Sequence, residues 1–363
     1  MCSQPSLASK CFRFWTSRPI VDQDGFTLIE IMVGLFVGLV SLLFITQIFI
    51  ASESQKRTTA SVDDALVNGS LAMHTLESAL KEAGSGIVTG DLLDCRLNLL
   101  NGVTIEHLAP VTINPPGSLV LHADDNSDTL LIVNGRGFGP PEGYRAEDFK
   151  ELTDLAPQLF FKGSGRVEDS DRFVVVTTKR CNDSGLTLYV YPDDPAGVNP
   201  TMYYNLGVAP RFIAYAIRKG NLESCDLLDA GPNCAVESGW KIIASNIVWM
   251  KAEFGYDNDL DGKVDAYYQQ LPSPTGVNPQ CNLTQALTVR LVIASRGAQY
   301  EKEESTPYTS QVRLGGSEIK PEDVLKNTTA GNLDADDWKH YHYRFFQVIA
   351  PLRSLMSNGI QGC

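Results

Sequence analysis

The sequence predicts an α+β protein: a long N-terminal α-helix, transmembrane in its first half and amphipathic in its second, packed on a large antiparallel β-rich head. Three observations carry that expectation. An apolar stretch runs from Phe26 to Ile50 with a single charge, Glu30. A helix-period apolar stripe follows it as far as Ala83. Beyond Gly84 the pattern changes to short runs rich in Val, Ile, Tyr and Phe, bounded by Gly, Pro, Asn and Asp, the mark of strands.

The elements follow in order. Residues 1–25 are polar and mildly basic, with Lys10, Arg13 and Arg18 against Asp22 and Asp24. Basic residues ahead of an apolar span hold that end in the cytoplasm, so the rest of the chain faces the other side. Residues 26–50 form the span: 25 residues at helical rise give about 37 Å, enough for a hydrocarbon core of about 30 Å. An ordinary secretory signal carries its apolar region ahead of the cut and loses it. Here the recognisable junction, Gly25/Phe26, precedes the apolar region, so a cut there leaves the anchor in place.

Gly25-Phe26-Thr27-Leu28-Ile29-Glu30 resembles the prepilin processing motif of type IV pilins and type II secretion pseudopilins. The resemblance implies a leader at 1–25, cut after Gly25 by a prepilin peptidase, methylation of the new amine of Phe26, and Glu30 as the fifth residue of the mature chain. Physically, a carboxylate in hydrocarbon needs a partner, and the amine of a neighbouring subunit's Phe26 would serve. The alternative is an interfacial Glu30 reaching back to water. Gly34 and Gly38 are spaced to let two membrane helices approach.

Residues 51–83 continue the helix. Val62, Leu66, Gly69, Met73, Leu76, Leu80 and Ala83 alternate steps of four and three, which places them on one face, opposite Lys56, Asp63, Asp64 and Glu82. Packing against the chain's own head accounts for this stripe. Gly84 and Gly86 stop the helix. Within the head, 84–363, strands are expected at Leu119–His122, Thr129–Val133, Arg172–Thr178, Leu186–Tyr191, Arg211–Arg218, Trp240–Ala244, Ile247–Tyr256, Leu287–Ser295 and Tyr343–Ala350. Pro321–Leu325 suits a short helix, and the polar stretches 134–170, 270–285 and 297–340 read as loops.

Three stretches resemble minor pilins of the PilW type: 252–262, 289–296 and 343–353. With the length of the chain, they favour that type over the shorter J-type pseudopilins. The resemblance implies a structural role, not catalysis: initiation of type IV pilus assembly in a priming or tip complex. It also implies as partners the prepilin peptidase, other minor pilins, the major pilin and a PilY-type tip adhesin. The chain would sit in the inner membrane by one span with a periplasmic head, then in the filament at the cell surface. The alternatives are a J-type pseudopilin of type II secretion, and an anchored adhesin or calcium-dependent binding protein that uses the prepilin export route.

Composition agrees. The net charge is -13, and no Lys/Arg-rich run exists to neutralise phosphates, which points away from nucleic acid. Of eight cysteines, Cys2 and Cys11 precede the junction. Cys95, Cys181, Cys225, Cys234, Cys281 and Cys363 remain as disulfide candidates for an exported head, or as buried thiols. The short loop with Gly231-Pro232 favours Cys225 with Cys234. In Asp257-Asn258-Asp259-Leu260-Asp261-Gly262-Lys263-Val264-Asp265, the carboxylates of Asp257, Asp259, Asp261 and Asp265 and the carbonyl of Lys263 follow the start of a calcium loop. Position 12 is Tyr268 and the flanks read as strands, so the pattern is no EF-hand. A partial calcium site and an Asx-rich hairpin turn both fit it. The sequence offers no H-E-x-x-H or Walker A word, Gly163-Ser164-Gly165 is no nucleophile elbow, and His340 and His342 have no nearby carboxylate pattern.

Overall fold

Leu28–Glu82 form one helix, α1, of 55 residues. It ends where the chain turns left-handed at Gly84 (φ 74°) and Gly86 (φ 67°), a conformation costly for any residue with a Cβ. The computed structural model of the protein describes residues 25–86, 92–99, 102–135, 144–145, 172–176, 186–190, 202–207, 210–229, 234–272, 279–302, 304–305, 312–315, 317–320, 324–325 and 337–356. The chain divides into two units, Met1–Lys56 and Arg57–Cys363. The first contains the apolar part of α1, whose side chains from Phe26 to Ile50 lie exposed apart from the half-buried Val40.

In the second unit the strands are short at first: β1 (Leu97–Asn98), β2 (Thr104–Ile105), β3 (Val111–Ile113), β4 (Thr129–Asn134) and β5 (Tyr144–Arg145). Then come β6 (Arg172–Val176), β7 (Leu186–Val190), β8 (Met202–Gly207), β9 (Arg211–Arg218), β10 (Asn221–Asp226), β11 (Lys241–Ser245) and β12 (Ile247–Tyr256). The last are β13 (Ala266–Tyr268), β14 (Ala286–Arg296), β15 (Arg313–Leu314), β16 (Ser317–Glu318) and β17 (Tyr343–Pro351). Short helices α2 (Pro279–Thr284) and α3 (Arg353–Met356) flank β14 and β17 in sequence. Among the described residues they form three sheets, ordered β2-β1-β7-β6-β8-β5, β11-β10-β9-β4-β3 and β13-β12-β14-β17, beside the β15-β16 pair. Among the described pairings, only β1 with β7 is parallel.

Strand alternation builds the layers. Leu130 and Ile132 of β4, Tyr215 and Ile217 of β9, Met250, Ala252 and Phe254 of β12, and Leu291 and Ile293 of β14 share one core with Met73, Leu76 and Leu80 of α1. Their alternates face away. Leu131, Val133, Phe212 and Ala214 pack on Leu97, Ile105 and Leu206, while Trp249, Val292 and Ala294 pack on Val324, Leu325 and Tyr343. Both main sheets are therefore covered on both faces. Burial of each large aliphatic side chain in these cores contributes about 1.5–3 kcal/mol.

The buried face of α1 is not the expected one throughout. Ser61, Ala65, Gly69, Ala72, Met73, Leu76 and Leu80 are buried, Val62 is half-buried and Leu66 is 40% exposed. The cause is close approach. A Cβ on Gly69 would overlap the Phe346 ring of β17, and one on Gly297 would overlap Ser61. Small residues admit the sheet here, and the larger Leu66 is turned out.

Other expectations are also corrected. Leu119–His122 is no strand: Leu119 and Val120 plug the second core from a turn in which both N–H groups donate to the Pro116 carbonyl. The polar stretches contain β5, α2, β15, β16 and a 3-10 turn at Asp337–His340. Val324 and Leu325 are helical, and 321–323 lie outside the described residues, as do 1–24 and Thr178.

Candidate functional site

Gly25, Phe26 and Thr27 precede α1 without helical structure. Nothing lies within 4 Å of the position a Cβ would take on Gly25, and Phe26 is 83% exposed. The peptide bond after Gly25 thus lies in non-helical chain just ahead of α1. Thr27 and Glu30 make a reciprocal cap. The Glu30 N–H donates to Thr27 Oγ1 at 3.3 Å, while Glu30 Oε2 accepts the Thr27 N–H at 3.2 Å and its hydroxyl at 3.1 Å. This T-x-x-E arrangement satisfies otherwise orphaned donors at the helix start. Glu30, for which a neighbouring chain or water is the expected partner, also has this local one, and a Thr three residues ahead of a Glu before an apolar run is its sequence signal.

The acidic loop lies between β12 and β13, which pair as a hairpin. Oxygens of Asp257, Asp259 and Asp265 lie within 4.8 Å of one another. Asp261 does not join them; its carboxylate takes the Lys263 ammonium at 2.6 Å. Asp257, only 3% exposed, accepts the N–H groups of Asp261 at 3.2 Å and Gly262 at 2.8 Å. Asp265 accepts from Asn258 at 2.7 Å. Leu260 (φ 62°) and Gly262 (φ 83°) complete the turn in left-handed backbone. The loop is therefore an Asx-rich turn that also gathers three hard oxygen donors, of the type calcium takes. The Asp261 N–H pulls the Asp259 carboxyl down, but desolvation and the charges of Asp261, Asp265 and Asp257 outweigh it and hold that carboxyl above its ordinary value.

A polar hub that the sequence did not reveal anchors the far end of this hairpin. Asp128, 1% exposed, accepts from Lys251 Nζ at 2.9 Å, the Ala252 N–H at 3.0 Å, Asn114 Nδ2 at 2.9 Å and Gln269 Nε2 at 3.1 Å. Nearby, Arg290 and Glu253 stand opposite each other in β14 and β12. They pair at 2.5 Å, with the guanidinium 3.6 Å from the Tyr267 ring centroid.

Cys225 and Cys234 form a disulfide with Cα atoms 5.7 Å apart. Cys95 and Cys281 each take part in a disulfide as well, and Cys181 and Cys363 lie outside the described residues. His340 donates from Nδ1 to the Glu301 carbonyl at 2.9 Å and stacks on Tyr300, while His342 lies 3.8 Å from the Glu301 carboxylate.

Residues 21–46 match the prokaryotic N-terminal methylation motif. This match covers the junction, the cap and most of the apolar run, and it fits a type IV pilin or pseudopilin, proteins whose role is structural. One helix among the described residues, α1, is long and apolar enough to cross a membrane. No curated protein and no solved structure matches the chain.

Proposed function

We propose that the protein is a minor pilin of the PilW type, cut after Gly25, methylated at Phe26 and built into a type IV pilus within its priming or tip complex. The methylation motif carries this reading, because it lies directly on an exposed apolar helix that leads to a β-rich head. Two further points support it. The cut leaves Thr27, the capping residue, in the mature chain, so the helix start survives processing. The new ammonium of Phe26 then sits at a helix N-terminus, where a cation is disfavoured, and the Glu30 carboxylate offsets it. The three stretches that resemble PilW-type proteins supply β12, β14 and β17, neighbours in one sheet.

On this reading residues 1–25 are the leader, 26–50 anchor in the inner membrane, and 84–363 are the periplasmic head. The partners are the prepilin peptidase, the other minor pilins, the major pilin and a PilY-type adhesin. The Asp257–Asp259–Asp265 cluster takes calcium, with water filling the coordination that three carboxylates leave open.

N-terminal mass spectrometry of the chain expressed with and without prepilin peptidase tests the processing step. A methylated Phe26 that depends on the peptidase is expected. An intact N-terminus, or a cut beyond Ile50, would overturn the reading. Deleting the gene then separates the machines: loss of surface pili with normal secretion is expected, and the reverse pattern would assign the protein to type II secretion.

A further inference from the structure

A cavity of about 270 Å³ opens between the last turns of α1 and the sheet face formed by β4 and β9. Its floor is aliphatic, made by Ile132 and Ile213, which are register partners. One step along the same pair of strands, Asn134 stands opposite Arg211, and Tyr215 closes the other side.

Three polar groups at this cavity lack a mate among the described residues. Asn134 is 5% exposed and its Oδ1 has no hydrogen-bond partner. Its Nδ2 donates to Glu82 Oε2 at 3.5 Å, which sets the way the amide faces. The Arg211 side chain makes no ion pair or hydrogen bond, and the Tyr215 hydroxyl makes none either. Burial raises the Tyr215 phenol above its ordinary value, more than the Arg211 charge lowers it. The phenol is thus a donor at neutral pH.

One cationic donor, one neutral donor and one buried acceptor define what fits. A carboxylate satisfies the guanidinium and the phenol, and an N–H satisfies the amide oxygen, whose isolation is costly. A phosphate fits poorly, since a dianion would meet one guanidinium and the Glu82 carboxylate on the rim. The volume lies just under the usual range for ligand pockets of about 300–1,000 Å³, so the ligand is small. We propose that this cavity binds a carboxylate with an N–H on the adjacent carbon, the chemistry of an N-acylated amino acid or of the last residue of a peptide.

The full chain in detergent, titrated calorimetrically with N-acetylalanine, tests this. Saturable binding is expected, with acetate weaker by about tenfold and the methyl ester of N-acetylalanine weaker by about the same factor. Arg211→Gln, at an exposed position, should weaken binding by about tenfold without lowering the melting temperature. Tyr215→Phe should weaken it as well. N-acetyl-trialanine separates the two sources of the ligand: tighter binding than N-acetylalanine points to a polypeptide tail, and equal binding to a free small acid. Absence of saturable binding by both acids would overturn the proposal, as would equal binding of acid and ester or indifference to Arg211→Gln.

Discussion

Gly69→Ala sets two effects of known size against each other. In a helix interior, Ala is worth about 1 kcal/mol over Gly. Against this, the added Cβ would overlap three atoms of the Phe346 ring, Cε2, Cζ and Cδ2. Phe346 is opposite Ile293 in the β17–β14 ladder, so the strand cannot retreat and only the ring can turn. Overpacking of this kind costs about 1–3 kcal/mol. The cost exceeds the gain, and Gly69→Ala should destabilise the head by about 1 kcal/mol, a fall in melting temperature of about 2–4 °C. In a Phe346→Leu background the overlap is relieved and the same change should stabilise by about 1 kcal/mol. Thermal unfolding of the four detergent-solubilised variants, followed by circular dichroism, gives the cycle. A Gly69→Ala effect of the same sign and size in both backgrounds would refute the argument that the helix is small-faced to admit β17.

Other predictions come from the polar clusters. Asp128→Asn leaves the Lys251 ammonium without its carboxylate in a buried setting, and urea unfolding should show a loss of about 3 kcal/mol, partly recovered by adding Lys251→Met. Glu253→Gln should cost a similar amount, about 3 kcal/mol, whereas Glu253→Met with Arg290→Met should cost less than either single change, because no buried charge is then left alone. Calcium should raise the melting temperature of the wild type and not of Asp257→Asn; an equal rise in both would remove the loop as the site. Since the Asp259 carboxyl is held above its unfolded value, ionising it works against the fold, and the contribution is lost as pH rises through the folded pKa. Without calcium, Asp259→Asn should therefore raise the melting temperature at neutral pH and have no effect below the carboxylate range.

The sequence shows the strongest patterns and conceals those that depend on contact. β9, β12, β14 and β17 are legible because they are long and apolar, a consequence of sheets covered on both faces. β10 escapes notice because Asn-Leu-Glu-Ser-Cys-Asp is polar and its turn, Lys219-Gly220, lacks the usual Asn-Gly word. Both turn residues nonetheless have positive φ, and Asp124 accepts both of their N–H groups at 2.9 Å. Part of the true face of α1 is obscured because large residues dominate a periodicity reading, while Ser61 and Ala65 are buried for being small. In the acidic loop the spacing brings Asp257, Asp259 and Asp265 together, but it cannot show that Lys263 pairs with Asp261 instead. The Asp128 hub joins residues far apart in sequence, and no local pattern announces it.

The packing of Gly69 on Phe346 has a kinetic side. The strand that seals the small-faced stretch of α1 is β17, the last of the described strands, so it is synthesised long after the helix it covers. Until then that stretch of helix waits with its inner face uncovered. Contacts between segments so distant in sequence form slowly. Folding of this chain therefore includes an interval in which an unfinished head must be kept from associating with its neighbours, and a chain cut short before β17 would remain in that state.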